Sequence, residues 1–122
     1  MPAATPPSPP AVVRAWSREL NANHNAAAAR LFADEARVIQ APVFDVRVDF
    51  KGALLFNEGL PCGGTIIAMQ RHGNRVVATF RLKKRPKHPC TGVGQKAAAA
   101  ITVVDGKIVR WEQVAVPEKP TA

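Results

Sequence analysis

Tyrosine is missing from this chain of 122 residues, histidine occurs three times and cysteine twice. No apolar run approaches the roughly 18 residues that a membrane-crossing helix needs, so no bilayer span is expected. No glycine-rich phosphate loop leads into a helix; Cys62-Gly63-Gly64 precedes a strand pattern instead, and no cofactor is implied. His24 and His88 stand apart, without acidic partners at ligand spacing, so no metal site is expected. The stretch 1–10 has neither a positive leader nor an apolar core, which argues against a secretory signal and for a cytoplasmic protein. Its five prolines predict a polyproline-like or disordered tail, with folding from Ala11 to Pro117 and a second short tail over 118–122.

Acids are scarce too: 9 against 17 lysines and arginines, a net charge of +8. Such an excess invites an anionic-surface or nucleic-acid reading. Only Arg81, Lys83, Lys84, Arg85 and Lys87 cluster, however, and no aromatic residue interleaves with them to stack bases. The cluster reads first as a solvated strand end and loop. Nucleic-acid binding is kept as the rival.

What remains is an ordinary globular composition, 47% hydrophobic, in a length that suits one domain. Val12, Val13, Trp16 and Leu20 recur at helical spacing and predict a first helix. Asn25 is placed to cap a second, over 26–33, with Ala28, Leu31 and Phe32 inward. Strands are expected over 38–41 and 43–50, then a third helix over 53–60 ended by Pro61. A long hairpin, 65–71 and 75–83, turns at His72-Gly73-Asn74, and a second, 97–104 and 107–116, turns at Asp105-Gly106. Three helices in the first half, followed by long antiparallel strands, predict an α+β fold in which a strongly curved antiparallel sheet forms a cone around the helices.

Three runs point the same way. Val12-Val13-Arg14-Ala15-Trp16, Leu20-Asn21-Ala22-Asn23 and Leu31-Phe32-Ala33-Asp34-Glu35-Ala36-Arg37-Val38, together with the ending Ile101 to Ile108, resemble the nuclear transport factor 2-like (NTF2-like) superfamily. The likeness is greatest to its SnoaL-like polyketide cyclases and ketosteroid isomerases. It implies a cone-shaped pocket for a small, mostly apolar molecule and a homodimer formed through the open sheet face. Ketosteroid isomerases use a carboxylate base, a Tyr and a protonated Asp. At the matching positions this chain carries Gln40 (or Ala41), Trp16 and Ala99, so that chemistry is not implied. The Asp-Arg-Asp set of epoxide-hydrolase-like members has no match beside Arg110 and Glu112 either.

The expected cone lining includes Trp16, Leu20, Gln40, Phe44, Phe56, Phe80, Ala99 and Trp111, with Gln40 as the polar handle. The same residues could instead fill a solid core, which would suit a non-catalytic interaction module. Alanine buries little area and is a poor strand former, so Ala97 to Ala100 favour a cavity. If proton-transfer chemistry of an isomerase, cyclase or hydrolase kind occurs, Asp45 and Asp49 are the candidate bases. Cys62 and Cys90 flank the first long hairpin. Pairing centred on Gly73–Asn74 puts Cys62 opposite Arg85, within a few residues of Cys90. A disulfide is expected, and the segments 60–64 and 88–92 resemble paired segments of some bacterial SnoaL-like proteins; two free thiols in a reducing cytosol is the competing reading.

Overall fold

The computed structural model describes residues 5–40 and 44–118. Three helices, α1 (Pro9–Asn21), α2 (Asn25–Ala29) and α3 (Phe50–Gly59), accompany six strands: β1 (Phe32–Gln40), β2 (Phe44–Val48), β3 (Gly63–His72), β4 (Arg75–Lys83), β5 (Lys96–Val104) and β6 (Lys107–Val114). The expected strand ends at Ala41 and Val43 lie outside the described residues, as do 1–4 and 119–122 of the two expected tails.

Helix α1 opens at Pro9, two residues before the expected start. Prolines tolerate the first helical turn because their missing N–H would be unpaired there anyway, and Ser8 caps the helix by accepting from Ala11 N–H at 3.3 Å. The proline-rich stretch is not wholly loose. Pro9 is buried, and a side chain at Gly106 would come within 3.0 Å of Pro7. Helix α2 is shorter than expected, and Asn25 is its first residue rather than its cap; Arg85 engages the Asn25 side chain instead.

The strand order is β2-β1-β6-β5-β4-β3. All neighbours are antiparallel except β1 and β6, which run parallel, so the sheet is mixed rather than wholly antiparallel. The chain passes from β1 through β2, α3 and the β3–β5 meander before β6 returns beside β1, a route long enough to allow parallel pairing. Strand β1 starts at Phe32 because Ile108 N–H bonds Leu31 C=O at 2.7 Å and extends the ladder into what periodicity marked as helix.

Register shifts within β1 (between Phe32 and Arg37), β3 (between Ile66 and Ala68) and β6 (between Ile108 and Arg110) bend the sheet. In the first, Glu35 has φ of 61°, the left-handed conformation of a bulged residue. The curved inner face wraps the helices, and Val12, Val13, Val38, Val76, Ile101, Val103 and Ile108 form the fully buried centre.

Candidate ligand-binding cavity

Alternation along β4, β5 and β6 turns Ala78, Phe80, Ala97, Ala99 and Trp111 to the helix side, with Ala78 paired to Ala99, Phe80 to Ala97 and Ile101 to Trp111. Opposite them stands Trp16 of α1. The aromatic rings pack as a chain: Phe32 to Phe56 at 6.2 Å, Phe56 to Trp111 at 4.9 Å, Trp111 to Trp16 at 5.8 Å and Trp16 to Phe80 at 6.2 Å. These inclined pairs fill one half of the cone. The other half, where Ala97 and Ala99 face α1, is not filled. A cavity of about 220 Å³ lies there, bounded by Trp16, Leu20, Phe80, Leu82, Ala97 to Ala99 and Trp111, with Gln40, Gln113 and the segment Leu60 to Gly64 at its rim. Packed aromatic rings and an unfilled cavity thus share one cone.

Among the described residues no acid, base or cation lines this cavity. Its polar side chains are the amides of Gln40 and Gln113 and the Ser17 hydroxyl, which donates to Gly64 C=O at 3.4 Å. Trp16 Nε1 is occupied, donating to Asn57 Oδ1 at 3.0 Å. Trp111 Nε1 is buried without a partner among the described residues.

Trp16, Leu20, Gln40, Phe80, Ala99 and Trp111 thus come together around the cavity. Phe56 does not; it packs edge-on behind Trp111. Phe44 is 43% exposed. Its register opposite Gln40 puts it on the inner row, but β2 is an edge strand and leaves Phe44 half-exposed among the described residues.

Neither candidate base reaches the cavity. Asp45 pairs with Ile39 on the outer row and receives two hydrogen bonds from Arg37, Nε at 2.8 Å and Nη2 at 2.6 Å. The Arg37 guanidinium holds this carboxyl below its ordinary value, the reverse of what a general base needs. Asp49 caps α3, accepting from Gly52 N–H at 2.8 Å. Aspartate alternating with valine in an edge strand and aspartate three residues before a helical glycine both have these structural uses, and proximity to the mouth did not override them.

The cavity rim is held from behind by Arg85, which is only 3% exposed. It donates to Asn57 C=O and Leu60 C=O, both at 2.7 Å, and to the side chains of Asn23, at 2.9 Å, and Asn25. Burial lowers its proton affinity, and no carboxylate is among its partners. The negative C-terminal end of α3 partly answers the charge. Sequence reasoning placed Arg85 in a solvated basic cluster and overlooked Asn57. One signal was available: Asn57 interrupts the apolar stripe Ala53-Phe56-Leu60 of α3. Arg81 is also engaged, donating to Gly94 C=O at 2.9 Å. The basic cluster therefore presents fewer free cations than its sequence suggested.

Next to Arg85, Cys62 and Cys90 form a disulfide with Cα atoms 4.9 Å apart. The bulge at Ile67 shifts the hairpin register by one, so that Gly63 pairs with Lys83, and the loop after β4 folds back to bring Cys90 in. Closing about 29 residues contributes roughly 3.5 kcal/mol in the chain-entropy account.

Comparison with known proteins supports this architecture. No family model matches the chain, and no curated protein matches its sequence. Solved structures do match in shape. An NTF2-like protein of unknown function from Cytophaga hutchinsonii superposes with a TM-score of 0.72 at 14% identity, over 93% of each chain. A protein of ketosteroid isomerase-like fold from Catenulispora acidiphila, in complex with trimethylamine, gives 0.72 at 15% identity over 87% of this chain and 85% of that one. TerC, co-crystallised with polyporic acid, gives 0.66 at 12% identity over 87% and 89%. The chain has the NTF2-like cone fold.

Proposed function

We propose that the cone holds a small, uncharged, largely apolar molecule and binds it without acid–base chemistry. The observation that carries this reading is a cavity walled by Trp16, Phe80, Trp111, Ala97 and Ala99 with no ionisable side chain in its described lining. An apolar cavity with a few polar groups at its rim suits a ligand that buries its body and leaves one hydrogen-bonding group near Gln40. A charged ligand would lose hydration there without gaining a counter-charge. Proton transfer of the isomerase, cyclase or hydrolase kind needs a positioned base, and the expected ones serve a surface ion pair and a helix cap. The complexes of two structural neighbours with small molecules are consistent with small-molecule binding by this fold.

Trp16 and Trp111 make the test direct. Titration with a panel of neutral aromatic compounds should quench tryptophan fluorescence saturably. Ala99→Leu should fill the cavity and abolish the effect, at a cost of about 1–2 kcal/mol in stability. A wild-type protein with no saturable change for any compound would point to the non-catalytic interaction module.

Two finer points belong to the same reading. A homodimer through the sheet face turned from the helices, where β4 and β5 carry the small side chains Val77, Thr79, Ala98 and Ala100, is part of the proposal. Sedimentation velocity at several concentrations reads this. A closed Cys62–Cys90 bridge favours an oxidising compartment over the cytoplasm expected from the sequence.

A further inference from the structure

Strand β3 ends the sheet, and its ten residues leave a long free edge. Which backbone groups face outward follows from the ladder. Leu82 donates its N–H to Gln95 C=O and accepts from Gly94 N–H, both at 2.8 Å, so its polar groups point away from β3. Residues alternate along an antiparallel strand, so Phe80, Ala78 and Val76 do the same. Their β3 partners, Gly64, Ile66, Met69 and Arg71, must therefore turn their own N–H and C=O groups out of the sheet. At Gly64 both are satisfied by the Asn21 side chain: Oδ1 accepts from the N–H and Nδ2 donates to the C=O, each at 2.9 Å. That is the pair of bonds a peptide unit of a neighbouring strand would make. Beyond Gly64, no loop or turn of the described chain supplies backbone bonds to Ile66 or Met69.

Alongside this edge runs an open groove of about 860 Å³ between β3 and α1. Its charged lining residues are Arg14, Arg18 and Lys83, all basic. Ile67, 43% exposed, adds an apolar contact. We propose that this groove takes an extended acidic peptide segment of another protein, added to β3 as a seventh strand. Main-chain bonds to Ile66 and Met69 would supply affinity, and acidic side chains meeting Arg14, Arg18 and Lys83 would select the partner. A second copy of this chain is the poorer occupant, because it would bring the same three cations to the same rim. The bulge at Ile67 points the same way: it spoils pairing with a second rigid edge, whereas a flexible segment can follow it. Nucleic acid is disfavoured because no aromatic residue is among the described lining of the groove.

The test uses the full chain and a dye-labelled heptapeptide of alternating Glu and Val, with its Lys–Val counterpart and oligo-dT as controls. Anisotropy should show saturable binding of the Glu peptide alone. Arg14→Glu combined with Arg18→Glu should weaken it at least about tenfold. Met69→Pro removes an outward N–H without touching the β3–β4 ladder, so it should weaken binding comparably in a protein whose circular dichroism is unchanged. Amide exchange provides the check independent of folding: the Ile66 and Met69 N–H groups of wild type should gain protection on peptide addition. No saturable binding, equal binding of oligo-dT, or binding without protection of those two amides would each overturn the proposal.

Discussion

Two regions flank the rim segment Leu60 to Gly64, and they are built on opposite terms. Behind it lies a polar knot in which a buried guanidinium holds two carbonyls and two asparagine side chains beside a disulfide. In front of it lies a void walled by alanine and indole. In the knot almost every buried polar group has a partner, since an unpartnered one costs about 1–3 kcal/mol. In the void little polar demand exists, so leaving it unfilled forfeits dispersion contacts but few hydrogen bonds. The rigidity of the first region is what lets the second stay open: Arg85 and the Cys62–Cys90 bridge fix the rim without any side chain propping it from inside.

Removing the cation should have the largest effect. Arg85→Met leaves its carbonyl and amide partners unsatisfied and should lower unfolding free energy by about 4 kcal/mol, read by urea denaturation. A loss under about 1 kcal/mol would show that water replaces the guanidinium and would erase the contrast between the regions. Cys62→Ser with Cys90→Ser should cost slightly less, about 3.5 kcal/mol, because it acts on the unfolded chain rather than on packed contacts. Ligand-induced quenching should persist in this variant at low temperature, where it still folds. Trp16→Phe crosses between the regions. It keeps an aromatic wall but deprives Asn57 Oδ1 of its donor, so a loss of about 1–2 kcal/mol is expected, with weaker quenching.

The smallest effect belongs to the exposed Arg37–Asp45 pair, which lies outside both regions. Arg37 lowers the Asp45 carboxyl in the folded state, so the pair's contribution is present above the ordinary carboxylate range and fades as pH falls through the lowered folded value. Asp45→Asn should remove that acid-side dependence and leave ligand quenching unchanged. Thermal melts between neutral and acid pH, compared with wild type, check both statements. Loss of quenching would return Asp45 to the site.

Much of the fold was legible in the chain. The stripe Val12-Val13-Trp16-Leu20, the turns at Gly73-Asn74 and Asp105-Gly106 and the alternation of β4 all rest on local chemistry, and all appear where they were expected. Helix-like spacing near Leu31 and Phe32 misled because a distant strand, β6, offered better backbone pairing. For the site, the small-against-large pattern of Ala97, Ala99, Trp16 and Trp111 was visible, since volume is a property of the residue. The roles of Asp45, Asp49 and Arg85 were not. A charge takes its function from what faces it, and Arg37, the α3 terminus and the carbonyls of Asn57 and Leu60 are brought up by residues 3 to 28 positions away.

The sequence by itself determined the order of elements, the positions of the tight turns and the presence of both large and small inward side chains, because those follow from backbone preference and side-chain size. Tertiary structure alone decided the parallel closure of β1 on β6, the exposure of Phe44 on an edge strand and the burial of Arg85 from within a run of surface cations. Each depends on which distant segment arrives to pair, cover or ligate, and the register shifts that bend the sheet set where those segments meet.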